Sequence, residues 1–223
     1  MSVCIPRQES VNNTFKRGHG GICIFYNSLL SDGITVVETD DTGVIWLKLC
    51  KHFFHFEHDV YVCFSYIPTQ NSVYFNLHPS GFFESVETGI RIYSDLGVVL
   101  WMGDLNTRCG NKSDMLHSFI IKESNENPRD FRLNARNSMD PVTNASGNRL
   151  IDLCLSSDLR IGNCRIGECG QFINITTNDK SVIDYALASV DIFPVISTFN
   201  VHDMFSFSTH LPISVISVYM SEC

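Results

Sequence analysis

One stretch of the sequence ends a strand-like run with side chains that could do chemistry on a phosphate. Val98–Asn106 reads VVLWMGDLN, an apolar run that leads through a glycine to Asp104 and Asn106. Two polar residues at this spacing lie on one side of a strand end, where α/β proteins usually bind ligands. The carboxylate could orient a water molecule or hold a metal ion, and the amide could donate to a phosphate oxygen. Asp and Asn are also ordinary turn residues, which is the simpler interpretation of this stretch alone.

Three further residues add candidate acid, base and hydroxyl groups. Asp184 lies inside the strand-like run SVIDY, where an unpaired carboxylate is costly. His210 opens the last apolar run, and an aspartate paired with it would hold its ring in one tautomer and raise its basicity. Tyr66 ends another apolar run, and its hydroxyl could reach a phosphate. Each of these residues also has an ordinary interpretation. Asp184 could be a carboxylate facing water on an edge strand, His210 a loop residue and Tyr66 a core residue.

The elements that must position these residues are mainly strands. Apolar or alternating runs predict strands at 21–30, 43–50, 60–67, 98–102, 160–163, 171–176, 181–188, 195–201 and 211–219. Apolar residues at helical spacing predict helices over Phe82–Leu96 and Ser146–Asp158. The polar stretch 111–141 predicts a long loop. Strands with helices between them favour an α/β fold in which helices cover sheets.

Composition and charge narrow the function classes. The chain has 223 residues without a visible repeat or linker, so we expect a single domain over 1–223. Its 44% hydrophobic and 18% charged residues exclude a disordered tail. A net charge of −8 argues against a simple basic glove for nucleic acid, although divalent metal can neutralise an acidic site. No apolar run approaches the roughly 20 residues of a membrane helix, so we expect no membrane and an intracellular location, nuclear or cytoplasmic.

The nine cysteines are scattered and include no C-x-x-C pair. Several lie in apolar runs, where free cysteine behaves as a small hydrophobe. We therefore expect reduced thiols rather than a disulfide framework.

The order of these motifs resembles the endonuclease/exonuclease/phosphatase superfamily. Tyr66–Ile67–Pro68 is followed by GD-x-N at 103–106, SVIDY at 181–185 and a final S-x-H at 208–210. The superfamily includes deoxyribonuclease I, apurinic/apyrimidinic endonucleases and LINE-type retrotransposon endonucleases. The sequence looks most like the retrotransposon branch, which it also matches in a glycine pair before an apolar strand, in Ile45–Trp46–Leu47 and in Asn71–Ser72. The resemblance extends from about residue 15 to the C-terminus.

This resemblance implies a fold, a reaction and a role for each site residue. The fold is a two-sheet α/β sandwich flanked by helices, four layers in all. The reaction is magnesium-dependent hydrolysis of phosphodiester bonds in DNA by a metal-activated water. In the family the GD-x-N aspartate is the general base or water orienter and the asparagine contacts the phosphate, roles that fall on Asp104 and Asn106. The SVIDY aspartate pairs with the final histidine, which stabilises charge at phosphorus, and these roles fall on Asp184 and His210. The tyrosine that assists at the phosphate is Tyr66.

The sequence departs from the family pattern in two places. The family begins with two strands, the second of which ends in a metal-binding glutamate. Residues 1–17 look like the stretch that follows this glutamate, so we expect the first strands to be lacking, with Glu9 the one candidate replacement. The family's final S-D-H reads S-T-H here, and the Thr209 hydroxyl cannot supply the charge of a metal-binding aspartate. The metal ligands therefore stay unassigned, and we expect weak or absent activity.

Three functions stay open at this stage. The ordered motif set favours a DNA endonuclease of retrotransposon origin. The missing glutamate and Thr209 favour an inactive remnant, or a module of the same fold that binds nucleic acid or protein. A small-molecule or lipid phosphatase would use the same chemistry. No feature of the sequence predicts the oligomeric state.

Overall fold

The computed structural model is a mixed α/β structure, as the strand and helix patterns predict. It describes residues 1–6, 21–40, 43–70, 72, 75–76, 81–115, 133, 135–167 and 171–217. The described strands belong to a central six-stranded sheet and three two-stranded sheets. The chain divides into two compact units, an N-terminal unit, Met1–Asn106, and a C-terminal unit, Thr107–Cys223. The single domain over 1–223 stays a prediction. Glu9 and Asn71 lie outside the described residues.

The N-terminal unit supplies strands β3 to β6 of the six-stranded sheet, in chain order. The strands of this unit are β1 (Ser2–Ile5), β2 (Ile22–Phe25), β3 (Ile34–Asp40), β4 (Val44–Leu49), β5 (Val60–Tyr66) and β6 (Val98–Asp104). Strands β3, β4 and β5 pair antiparallel, whereas β5 and β6 pair in parallel. The parallel register sets Tyr66 opposite Asp104, so the last residues of two buried strands meet at one edge of the sheet.

The helices that the structure gives with both ends in the N-terminal unit are two α-helices and a 3-10 helix. They are α1 (Lys51–Phe54), α2 (Gly81–Ser94) and the 3-10 helix Ser28–Gly33. The apolar face of α2 is buried, as its spacing predicts, and consists of Phe82, Phe83, Val86, Ile90 and Tyr93. Trp46 of β4 is fully buried, and its ring lies 4.7 Å from that of Tyr93 between centroids. A β-carbon on Gly89 of α2 would lie 2.6 Å from the Trp46 indole, so this glycine lets the helix pack closely on the sheet.

Strand β3 is absent from the strands that the sequence predicts. Its residues read ITVVETD, and the five between Ile34 and Asp40 are exposed. An edge strand with little buried surface has no alternation of apolar and polar residues to reveal it. Its pairing with β4 is therefore a feature of the tertiary structure.

Strand β1 corrects two expectations about the first residues. Ser2–Ile5 pairs antiparallel with β2, so this part of the expected connecting stretch is a strand. That the family's first strands are lacking stays a prediction. The register sets Cys4 opposite Cys23, and the two form a disulfide. The expectation of reduced thiols is wrong for this pair, because strand pairing, rather than spacing along the chain, brings the two sulfur atoms together. The five free cysteines among the described residues are Cys50, Cys63, Cys109, Cys154 and Cys164.

The described part of the C-terminal unit contains one long helix and several short strands. Its elements are α3 (Ala145–Ser157), β7 (Leu159–Ile161), β8 (Asn174–Ile175), β9 (Lys180–Ser181), β10 (Asp184–Ser189), the 3-10 helix Val190–Val195, β11 (Ile196–Val201) and β12 (Ile213–Ser217). Antiparallel pairs join β10 to β7, β8 to β9 and β11 to β12. The strand predicted over 181–188 is interrupted between β9 and β10, so Asp184 begins a strand rather than lying inside one. No helix in the described part of the chain is long and apolar enough to cross a membrane.

The packing of α2 on Trp46 predicts the effect of one added methyl group. We expect Gly89→Ala to lower the free energy of unfolding by about 1–3 kcal/mol, because a buried indole must shift to admit the β-carbon. This loss would outweigh the gain of up to about 1 kcal/mol in helix propensity. Urea denaturation measures it, with Thr88→Ala on the exposed face of the same helix as the control. An unchanged or raised stability of Gly89→Ala would contradict the close packing.

Candidate active site

The end of β6 holds Asp104 and Asn106 in one compact turn. The backbone N–H of Asn106 donates to Oδ1 of Asp104 at 3.1 Å, and its side-chain Nδ2 donates to the carbonyl oxygen of Ile67 at 2.9 Å. Asn106 has a φ of 45°, a left-handed conformation that asparagine tolerates better than most residues. The Ile67 N–H in turn donates to the Asp104 carbonyl oxygen at 2.9 Å. These bonds tie the loop after β6 to the residue after β5.

Gly103 is required by the close approach of β5. It has a φ of +155°, and a β-carbon at this position would lie 1.9 Å from the carbonyl oxygen of Ser65. No side chain fits in that space, so the G of GD-x-N is a packing requirement of the strand pair. Tyr66 follows Ser65 and is partly exposed beside Asp104 in the register. Tyr66, Asp104 and Asn106 therefore lie at the same edge of the sheet in the N-terminal unit.

In the C-terminal unit, Asp184 and His210 form a hydrogen-bonded pair. Nδ1 of His210 lies 2.9 Å from Oδ2 of Asp184, and the two side chains are 34% and 16% exposed. A carboxylate on Nδ1 favours the tautomer that carries its proton there, which leaves Nε2 to exchange a proton or meet a substrate. The structure thus brings together the two residues that the motif order pairs, although they are 26 residues apart.

The backbone on both sides of this pair is held in place. His210 forms an isolated bridge with Asn174 of β8, and its N–H donates to Ser208 Oγ at 3.0 Å. Asn163 is buried and spans the start of β10, since its Nδ2 donates to the Asp184 carbonyl oxygen and its Oδ1 accepts from the Ala186 N–H. Asn163 is a positioning residue that the motifs do not reveal. No local pattern in the sequence distinguishes it from other asparagines.

Asp140 is a second positioning residue that the sequence analysis missed. Its buried carboxylate accepts two hydrogen bonds from Arg108, at 2.8 and 2.7 Å, and one each from the N–H groups of Val142 and Val182. Burial alone would raise the pKa of Asp140, but the bonds from Arg108, Val182 and Val142 outweigh it and lower this pKa below its ordinary value. Val182 lies two residues before Asp184, so the ionised carboxylate fixes the chain that leads into the pair.

Thr209 lies where the family motif has an aspartate, and its side chain is exposed. Its carbonyl oxygen accepts from the Ile175 N–H at 2.9 Å, which fixes the backbone beside His210. The backbone of the S-T-H motif is therefore held in place, while the charge of the family's aspartate is missing.

Comparison with known proteins identifies the fold. No protein-family model matches the chain, and no curated protein matches its sequence. Solved structures do match, and they include the following three. The 3'-5' exonuclease NExo from Neisseria meningitidis matches with a TM-score of 0.55 and 12% identity, over 83% of this chain and 71% of that chain. The endonuclease domain of TRAS1, a telomere-specific non-LTR retrotransposon, matches with a TM-score of 0.52 and 14% identity, over 99% of this chain and 81% of that chain. The 3' phosphatase NExo from Neisseria, bound to a product DNA hairpin, matches with a TM-score of 0.61 and 12% identity, over 98% of this chain and 80% of that chain.

The chain has the deoxyribonuclease I-like fold. This confirms the fold that the ordered motifs imply. The matches share 12–14% of their residues with the chain, so they show the fold alone, and kinship with the retrotransposon branch stays a prediction.

The contacts of Arg108 predict that removal of its two acidic partners lowers the free energy of unfolding by different amounts. We expect Asp140→Asn to lower the free energy of unfolding by about 3 kcal/mol at neutral pH, because it leaves a half-buried guanidinium without its main partner. Asp179→Asn removes an ion pair whose carboxylate is 61% exposed, and its cost should stay below about 1 kcal/mol. Urea denaturation at pH 7 measures both variants.

The stability lost in these two variants should also depend differently on pH. The pKa of Asp140 is lower in the folded chain, so its contribution is complete at neutral pH and is lost as the pH falls through the folded-state pKa. The difference in the free energy of unfolding between the wild type and Asp140→Asn should therefore become smaller below about pH 4. Equal costs for the two variants, or a difference independent of pH, would contradict the role given to Asp140.

Proposed function

We propose that this chain is a magnesium-dependent nuclease that hydrolyses phosphodiester bonds in DNA and derives from a retrotransposon endonuclease. The observation that carries the proposal is the hydrogen bond between Asp184 and His210 in a deoxyribonuclease I-like fold. A histidine oriented by a carboxylate can stabilise the charge that develops on a phosphoryl group. The described neighbours support a nucleic-acid substrate, since one is a retrotransposon endonuclease domain and another is bound to a DNA hairpin.

The proposal assigns a role to each site residue. Asp104 orients the attacking water, since a carboxylate at a strand end can accept its proton. Asn106 and Tyr66 contact the phosphate oxygens through an amide and a hydroxyl. Asp184 accepts a hydrogen bond from Nδ1 of His210, and the protonated ring donates from Nε2 to the phosphoryl group. Asp140 and Asn163 act only by positioning β10.

The donor set fits magnesium in part. Asp104 of the N-terminal unit and Asp184 of the C-terminal unit each offer a carboxylate, and carboxylates suit a hard cation. Imidazole suits softer metals better, so we assign the cation to the two aspartates and keep His210 as the partner of Asp184. When bound, magnesium would lower the pKa of a water molecule and neutralise phosphate charge. Thr209 leaves this set one carboxylate short of the family pattern, so we expect weak affinity.

A plasmid assay tests the activity. We expect slow relaxation of supercoiled plasmid by the purified chain in magnesium and none in EDTA. His210→Ala and Asp184→Asn should each lower the rate about 100-fold or more, the usual contribution of a positioned proton-transfer group. His58→Ala removes a histidine that is 54% exposed in the N-terminal unit and should leave the rate unchanged. Cleavage that persists in EDTA, or that survives His210→Ala, would refute the proposal.

Thr209→Asp tests the missing charge. The Thr209 carbonyl bond to Ile175 belongs to the backbone and survives the substitution, so the loop should keep its conformation. We expect tighter binding of magnesium and faster nicking, because a carboxylate restores the hard anionic ligand of the family motif. The measurement is the nicking rate against magnesium concentration, with Thr209→Asn as the uncharged control of matching shape. Identical curves for all three chains would show that Thr209 does not limit the metal site.

Thr209 also favours a second function, a chain that binds DNA without cutting it. DNA binding by the wild type with no cleavage, followed by cleavage in Thr209→Asp, would assign this function and name its cause.

A further inference from the structure

The turn that leads into His210 exposes three large apolar side chains. We call residues 202–209, between β11 and β12, the aromatic loop. Within it, Met204, Phe205 and Phe207 are 55%, 63% and 99% exposed. Single exposed apolar residues are common, but three within four positions, one of them with no covering atoms, form a patch of the kind that marks a binding surface.

The aromatic loop is anchored to the same backbone that holds the catalytic pair. The Ser208 N–H donates to the Phe205 carbonyl oxygen at 3.2 Å, and Ser208 Oγ accepts from the His210 N–H. Phe207 precedes His210 by three residues, which places their Cα atoms at most about 11 Å apart. An exposed aromatic ring is therefore carried on backbone close to that of His210.

The charge around the loop indicates what the ring meets. The chain has no Lys or Arg after Lys180, and the loop itself carries Asp203. The loop itself therefore offers no positive charge to a phosphate or to an anionic membrane surface. A nucleobase offers a flat apolar face without charge, and stacking on aromatic side chains is the usual way that proteins hold unpaired bases.

We propose that Phe207, assisted by Phe205, stacks on an unpaired nucleobase next to the phosphate that meets His210. The inference rests on the proposed function in taking nucleic acid as the substrate, and it deepens it by naming single-stranded or frayed DNA as the preferred form. Stacking requires an open base face, which a paired base inside a duplex does not offer. The loop then adds affinity that is independent of base sequence and nearly independent of salt.

The test is a binding measurement with the full chain in EDTA, where no cleavage occurs. The probe is a single-stranded oligonucleotide that contains 2-aminopurine, whose fluorescence falls on stacking. We expect quenching by the wild type, and a Kd raised about tenfold in Phe207→Ala, within the range measured for one base–aromatic stack. Phe207→Trp should restore both the quenching and the Kd. The dependence of Kd on salt should be the same for all these chains, because no phosphate contact is lost.

Phe25→Ala is the matched control, since Phe25 is 78% exposed on β2 in the N-terminal unit. A circular dichroism melt checks that each variant is folded. The inference is overturned if the wild type does not quench the probe, if Phe207→Ala binds like the wild type, or if Phe25→Ala weakens binding equally. Phe207-dependent pelleting with phosphatidylcholine vesicles, without quenching of the oligonucleotide, would also overturn it and assign the loop to lipid.

Plasmid nicking separates this inference from the proposed function. If the chain nicks plasmid but binds the probe independently of Phe207, the proposed function stands and the stacking inference is wrong. A chain that binds the probe through Phe207 but never nicks plasmid keeps the inference and loses the catalytic function.

Discussion

The buried carboxylate of Asp140 is the constraint on which the Asp184–His210 pair depends. It accepts from Arg108, from Val142 before α3 and from Val182 before β10, so it joins three separate segments of the chain. An ionised carboxylate at this depth is stable only with several donors, and each donor here belongs to a segment that must be in place. The position of Asp184, and through it the orientation of His210, follows from this one charge.

The turn that holds Asp104 and Asn106 depends on close approach of the backbone instead of on charge. Gly103 lets β6 pass against Ser65 of β5, where any β-carbon would overlap the carbonyl oxygen. The parallel register then sets Tyr66 beside Asp104, and the Asn106 side chain closes the turn on Ile67. The Asp184–His210 pair therefore requires a buried charge with all its donors, whereas the turn at Asp104 and Asn106 requires a glycine at position 103.

The S-T-H motif keeps backbone contacts that support the fold but lacks a charge that metal binding would use. Ser208 and the Thr209 carbonyl oxygen hold the loop through backbone bonds that any residue at 209 could make. The backbone contacts therefore do not require an aspartate at 209, whereas a hard cation favours one. The same loop exposes Phe205 and Phe207 to solvent, so the segment without this charge is also the one that exposes an apolar surface.

The sequence alone determined the buried strands that carry the site, the two long helices and the pairing of Asp184 with His210, because burial periodicity is local and the motif order is specific. Only the tertiary structure decided the edge strand β3, the Cys4–Cys23 disulfide and the roles of Asp140 and Asn163. Each of these depends on which distant segments lie side by side. Local periodicity reports how deeply a residue is buried, whereas strand register and long-range hydrogen bonds decide which residue it meets.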